Sequence, residues 1–106
     1  MQNKHITPAR RTSLELLNKI LVSNEPFEKI INSSKKFLQL DDKDKRFTRL
    51  IITTILRKFG QIDFIMNQFI KKGSIKKNNL KNIIRIGIAE LIFIKSAKYA
   101  AINEAV

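Results

Sequence analysis

The hydrophobic pattern of this chain has the period of an α-helix along most of its length. Apolar residues recur at intervals of three and four positions, and no segment alternates as a half-buried strand would. The pattern predicts an all-α protein, a compact bundle of five helices followed by the start of a sixth. The predicted segments are 7–23, 24–39, 40–60, 61–72 and 79–95, with 97–106 as the incomplete one. A chain of this length forms one domain, 1–106.

Several predicted helices carry end signals. Thr7 stands at an N-cap position with Pro8 directly after it, a combination typical of a helix start. Asp41 and Asp42 open the third segment and suit the N-cap and the positive end of the helix dipole. Gly60 is the predicted stop of that segment.

Segment 79–95 is apolar nearly all round, which is typical of the central, buried helix of a bundle. Gly87 in its middle would let a neighbouring helix approach closely. Arg85 and Glu90 lie about 140° apart on this helix, so we expect each to pair with a group on another helix or at the rim of the bundle. Glu90 is also a candidate for contact with a partner protein, as is Tyr99 at the head of the sixth helix.

The other aromatic residues fall mostly on the apolar stripes, so we predict that they lie in the core rather than stack on bases. They are Phe27, Phe37, Phe47, Phe59, Phe64, Phe69 and Phe93.

The chain is strongly basic, with 21 Lys and Arg against 9 Asp and Glu and a formal net charge of +12. This charge indicates a polyanionic partner. The simpler alternative is a solvated lysine surface, because a surplus of Lys, Ile and Asn is typical of an AT-rich genome. No apolar run approaches the roughly 18 residues of a membrane span, and the N-terminus has no apolar signal region. We therefore expect a cytoplasmic, bacterial protein with no membrane association.

Arg10 and Arg11 fall in the first turn of the first helix, beside Lys4 and His5 in a short N-terminal arm. The free N–H groups of that turn and two guanidinium groups together suit an anion. Cations at this end are unfavourable for the helix itself, which indicates a use beyond stability. We therefore predict RNA contact by Lys4, Arg10 and Arg11, and we treat His5, which has no metal-ligand partner, as an arm residue.

Arg46, Arg49 and Arg57 share an arc of about 80° on the third helix, and apolar residues occupy much of the remainder. Guanidinium groups match phosphate better than lysine does, so this stripe is predicted to contact RNA. The alternative is a solvated face that happens to hold Arg. Asp42 would pair with Arg46 four residues on.

Three stretches, taken in order, resemble the NusB-like RNA-binding domain. They are PARRTSLELLNKIL at 8–21, DKDKRFTRLIITTILRKFGQIDFIM at 42–66 and IIRIGIAELIFIKSAKYAAINEAV at 83–106. The resemblance covers nearly the whole chain and implies a NusB-like fold with RNA as the ligand. The RNA contacts of this family cluster at the Arg-rich start of the first helix, which corresponds here to Arg10 and Arg11.

The family has two relevant branches. One is the free-standing transcription antitermination factor, which binds leader RNA together with a ribosomal protein. The other is the N-terminal domain of the small-subunit rRNA cytosine-C5 methyltransferases. The stretch RFTRLIITTILRKFGQID is more similar to the methyltransferase branch, while AINEAV is shared by both. The resemblance therefore implies an rRNA-binding domain that serves a separate catalytic domain dependent on S-adenosylmethionine. A helical protein-interaction module is a third alternative.

Cytosine C5 methylation in that branch uses a Cys thiolate, and this chain has no Cys. It also has no Gly-rich nucleotide loop and no catalytic triad, so we predict no enzyme activity, metal or cofactor within it. Segment 97–106 has no stop signal, so we expect the domain to continue past Val106. Part of helix 79–95 would then be uncovered and would favour a homodimer. The predicted partners are thus RNA, a C-terminal methyltransferase domain and a second copy of the chain.

Overall fold

The computed structural model describes residues 7–70 and 77–95, which form six α-helices and one π-helical segment. The helices are α1 Pro8–Ile20, α2 Phe27–Asn32, α3 Lys35–Leu38, α4 Asp42–Arg57, α5 Phe59–Phe69 and α6 Asn78–Ile88, and the π-helical segment Ala89–Ile94 continues α6. No strand occurs in these two ranges, and the predicted all-α fold is confirmed. Lys4, His5, Tyr99 and the predicted sixth helix at 97–106 lie outside the described residues.

The bundle is held together by two groups of buried apolar side chains. α1 belongs to both groups, because it packs against α4 and α6 and also against α2. The first group contains Leu17, Ile51, Ile55, Ile62, Ile86 and Ala89, and the second contains Leu16, Ile30, Ile31, Phe37 and Ile52. Each large apolar side chain contributes about 1.5–3 kcal/mol when it is fully buried, so these groups supply most of the drive to fold.

The start of α1 lies close against α4. Ala9 is fully buried at this contact, and its carbonyl oxygen accepts hydrogen bonds from Ser13 Oγ at 2.7 Å and Thr48 Oγ1 at 3.3 Å. The small Ala9 side chain permits the approach, and the shared carbonyl satisfies both buried hydroxyl groups. The contact places the first turn of α1, and with it Arg10, beside α4.

Side-chain caps begin α1 and α4 where the sequence predicts them. Thr7 Oγ1 accepts a hydrogen bond from Arg10 N–H at 3.3 Å. Asp41 Oδ1 accepts one from Asp44 N–H at 2.8 Å. Each cap satisfies one of the backbone N–H groups that a helix start leaves without a partner.

Segment 24–39 is two helices, α2 and α3, so the prediction of one helix was wrong. Ser34 breaks it with an extended backbone (φ −87°, ψ 114°), and its side chain accepts a hydrogen bond from Phe37 N–H at 3.2 Å. Serine competes with helical hydrogen bonds and favours the N-cap. Ile31 and Phe37 would lie about 120° apart on one straight helix, and the break lets both enter the same core group.

Gly60 does not end the helix before it, and that prediction was also wrong. α4 ends at Arg57, and Lys58 (φ −109°, ψ 23°) is the single residue between α4 and α5. The Lys58 carbonyl already accepts a hydrogen bond from Ile62 N–H at 2.8 Å. Phe59 and Ile62 both pack into the core, and their burial keeps the chain helical through Gly60.

The helix predicted to be central and buried is exposed at several of its apolar positions. Ile83, Leu91 and Ile92 retain 46%, 65% and 42% of their accessible surface. Among the described residues, no neighbouring heavy atom lies within 4 Å of the place where Gly87 would carry a Cβ. The close helix approach predicted at Gly87 is therefore not found within residues 7–70 and 77–95. None of the described helices combines the length and the apolar content of a membrane span.

Two aromatic residues lie outside the core, against prediction. Phe64 is 67% exposed and Phe69 is 85% exposed. Both belong to α5, which packs against α4 and α6 and buries only Ile62 and Met66. A helix at the edge of a bundle has a narrow buried face, so apolar residues beyond that face stay in solvent.

Replacing Asp41 with alanine is expected to lower the free energy of unfolding by about 1 kcal/mol, because α4 loses its capping acceptor. Urea unfolding measures this loss. Asp42→Ala is the matched control: it removes the same charge from the first turn of α4 and is expected to cost only the helix-dipole contribution of about 0.3–0.5 kcal/mol. Equal losses in the two variants would contradict the capping role of Asp41.

Candidate nucleic-acid interface

An ion pair joins the first turn of α1 to the π-helical segment. Arg10 Nε and Nη2 donate hydrogen bonds to Glu90 Oε2 at 2.7 Å and Oε1 at 2.6 Å. The Arg10 guanidinium also lies 5.7 Å from the centre of the Phe47 ring on α4. The hydrogen bond from Arg10 to Glu90 raises the pKa of Arg10 above its usual value, although partial burial opposes the rise. Glu90 thus has the partner on another helix that the sequence predicts.

Arg85 forms the second ion pair, at the contact of α6 with α5. Its Nε and Nη2 donate to Asp63 Oδ1 at 2.8 Å and Oδ2 at 3.0 Å, and its Nη1 donates to Asn82 Oδ1 at 2.6 Å. The guanidinium lies 4.8 Å from the centre of the Phe59 ring. Only 10% of the Arg85 side chain is exposed, so this residue is a structural one with little access to a ligand.

The amide groups next to Arg85 continue its network into α1. Asn82 Nδ2 donates to Asn18 Oδ1 at 2.6 Å, and Asn18 Nδ2 donates to Asn79 Oδ1 at 2.8 Å. Asn82 is almost completely buried, and both ends of its amide have partners. The network links α1, α5 and α6 through groups that a buried environment would otherwise penalise.

Arg49 forms a third ion pair, and it therefore differs from the other two arginines of the predicted stripe on α4. Its Nη1 donates to both carboxylate oxygens of Glu28 on α2, at 3.0 and 2.9 Å. The guanidinium lies 5.4 Å from the centre of the Phe37 ring. The charge of Arg49 is therefore largely balanced within the protein.

Arg11, Arg46 and Arg57 are the exposed arginines of the described chain. Within residues 7–70 and 77–95, no carboxylate oxygen lies within 4.0 Å of their side-chain nitrogens. The predicted pair of Asp42 with Arg46 is not formed. Three of the six arginines thus pair inside the bundle, and three present their charge to solvent.

Two grooves lie near the Arg10–Glu90 pair. The α1–α6 groove, of about 460 Å³, runs between Arg11 and Leu14 on one side and Ile83 and Gly87 on the other, and Arg10 and Glu90 also line it. The α4–π groove, of about 590 Å³, lies between α4 and the π-helical segment. Phe47 lines the second groove, and the Arg10 guanidinium lies over its ring.

The exposed guanidinium groups of Arg11, Arg46 and Arg57 suit anion binding. In the part of the chain that the structure describes, no group of three or more His, Cys, Asp or Glu side chains has the arrangement of a metal site. The predicted RNA contacts at Arg10, Arg11, Arg46, Arg49 and Arg57 lie on α1 and α4. The first turn of α1 contacts α4 near Thr48, whereas Arg57 lies at the C-terminal end of α4. The sequence did not identify Glu28 or Asp63 as partners, since neither stands at a helical spacing from its arginine.

The sequence profile described as the NusB family matches residues 7–106. No curated protein and no solved structure gives a match. The match extends over nearly the whole chain and includes α1 through the π-helical segment.

Proposed function

Since the chain belongs to the NusB family, we propose that it binds RNA and that Arg11, Arg46 and Arg57 supply its main phosphate contacts. This proposal rests on the difference between the arginines that pair with a carboxylate and those that do not. Arg11, Arg46 and Arg57 are exposed and have no carboxylate partner among the described residues. Guanidinium groups of this kind bind phosphate with paired hydrogen bonds.

The paired arginines contribute less to the proposed binding. Arg10 with Glu90, and Arg49 with Glu28, each carry no net charge as a pair. The electrostatic part of RNA affinity comes from the release of counterions by uncompensated cations. Arg10 and Arg49 therefore add little net charge to the surface. The three arginines without a carboxylate partner supply most of the electrostatic attraction for RNA.

Arg46→Ala and Arg57→Ala are each expected to reduce the log–log salt slope of single-stranded RNA binding by about 0.7. Each is expected to weaken binding by up to roughly eightfold at about 50 mM salt. Fluorescence anisotropy titrations over a range of salt concentrations measure both quantities. Lys19→Ala and Lys35→Ala remove the same charge from exposed positions at the other end of α1 and on α3. Equal losses in all four variants would favour the alternative of a solvated basic surface, and no RNA binding at all would favour a protein-interaction module.

We further propose that the RNA is small-subunit rRNA and that the domain presents it to an S-adenosylmethionine-dependent cytosine-C5 methyltransferase domain. The similarity of RFTRLIITTILRKFGQID to that branch of the family supports this context. The chemistry would belong to the partner domain, since the Cys nucleophile it requires does not occur in this chain. The alternative is an antitermination factor that binds leader RNA with a ribosomal protein. The reading frame of the native gene, and a competition between the two RNAs for the domain, distinguish these contexts.

A further inference from the structure

We propose that the α4–π groove is a subsite for one unpaired nucleobase, with the phosphates on either side held by Arg46, Arg57 and Lys58. The inference rests on the proposed RNA binding and specifies which part of the RNA enters the protein. It also assigns a role to Phe47 and Phe93, which the sequence analysis placed only in the core.

The groove has the shape and lining that a flat heterocycle requires. Phe47 and Phe93 line it from α4 and from the π-helical segment, and both are only half-buried. Leu50, which is 46% exposed, adds an aliphatic surface between them. The volume of about 590 Å³ lies within the range of small-molecule sites. Aromatic side chains with an accessible face stack on bases of any sequence.

Uncompensated cations lie at both ends of the groove. Arg57 and Lys58 line it, and Lys58 Nζ is 5.9 Å from the centre of the Phe93 ring. Arg46 stands one helical turn before Leu50 on the same face of α4, about 16 Å along the helix from Arg57. No carboxylate lines the groove among the described residues. A base in the groove would thus have its flanking phosphates next to positive charge on both sides.

The lining favours a base over an acidic peptide. A base needs hydrogen-bonding groups at its edge, and the half-buried Thr54 hydroxyl, which donates and accepts, lines the groove. The α1–α6 groove is a better match for an apolar peptide, since Leu14, Ile83 and Ile86 line it. The Arg10–Glu90 pair, which carries no net charge, also lines it.

Filling the α4–π groove tests the proposal without changing charge. The probe is a single-stranded RNA of about 12 nucleotides that carries 2-aminopurine at one internal position. Thr54→Trp is expected to weaken its binding about tenfold, by removing one stacked base, while the salt slope stays that of the wild type. Phe93→Leu is expected to show a similar loss, and Phe64→Leu, on the exposed face of α5, is the matched control with no loss.

A second measurement uses the wild-type protein, so the test does not depend on a variant that folds. Moving a single abasic residue along the same RNA is expected to weaken binding about tenfold at one or two positions only. A uniform, small effect at every position would overturn the inference, as would unchanged RNA affinity in folded Thr54→Trp. If Thr54→Trp weakened the binding of an acidic peptide of alternating Glu and Leu but not the binding of RNA, the inference would be overturned in favour of a peptide groove. Failure of the wild type to bind any RNA would instead refute the proposed function.

Discussion

Arg85→Ala is expected to lower the free energy of unfolding by about 3–4 kcal/mol, the largest loss expected of any charge substitution within residues 7–70 and 77–95. The substitution leaves the Asp63 carboxylate without its two hydrogen bonds at the contact of α5 with α6. It also leaves the oxygen of the buried Asn82 amide without a donor and removes the guanidinium from the Phe59 ring. The Asn82 amide is buried and the Asp63 side chain is only 26% exposed, so water replaces the lost partners only in part and the loss is costly.

A double-mutant cycle separates the ion pair from the rest of this loss. Urea unfolding of Arg85→Ala, Asp63→Ala and the double variant is expected to give a coupling energy of about 2 kcal/mol. Arg49→Ala is the matched control, since its pair with Glu28 is exposed on both sides and is expected to cost at most about 1 kcal/mol. Similar losses for Arg85 and Arg49 would contradict the structural role assigned to the Arg85 network.

Glu90→Lys is expected to increase the affinity for single-stranded RNA by up to roughly sixtyfold at about 50 mM salt. The substitution releases Arg10 from its bidentate pair and adds a second cation beside it. If both then contact phosphate, the log–log salt slope becomes steeper by about 1.4. Anisotropy titrations measure the affinity and the slope, and circular dichroism checks that the variant is folded.

Two companion variants make this result specific. Glu90→Gln releases Arg10 without adding a charge, so it is expected to show about half of the change in slope, roughly 0.7. Glu15→Lys makes the same change of two charges near the middle of α1, where Glu15 pairs with Lys36 on α3, and is expected to have little effect on affinity. An increase of the same size in Glu15→Lys would point to non-specific attraction. A decrease in Glu90→Lys would mean that Glu90 positions Arg10 for RNA instead of competing for it.

The fold could be predicted where a single local interaction decides the structure. Thr7 and Asp41 cap α1 and α4 through hydrogen bonds within three residues, and such contacts depend only on neighbouring sequence. Gly60 failed as a stop because the burial of Phe59 and Ile62, which is a tertiary effect, outweighs the local preference of glycine. Ser34 failed as a helix residue for the opposite reason, since its local capping bond proved stronger than the periodic pattern.

The surface could be predicted only in part. Helical periodicity shows which residues share a face of one helix, but it does not show which groups on other helices they contact. Periodicity placed Arg46, Arg49 and Arg57 on one face of α4, but Glu28, which pairs with Arg49, belongs to a different helix. The same reasoning required partners for Arg85 and Glu90 without identifying Asp63 or Arg10. Pairs of this kind depend on how helices dock, which no pattern within one helix contains. The RNA contacts assigned to these residues stay predictions.

The π-helical segment gives this surface a tolerance to the loss of one residue. Its hydrogen bonds reach one residue further than those of an α-helix, so Ala89–Ile94 holds an extra residue within the same advance of the chain. Deleting the extra residue would restore an ordinary α-helix and leave the direction of the residues after it nearly unchanged. The same deletion within α4, an ordinary α-helix, would turn every later side chain by about 100°. In the evolution of this surface, the loss of one residue would therefore be accommodated better at Ala89–Ile94 than within α4.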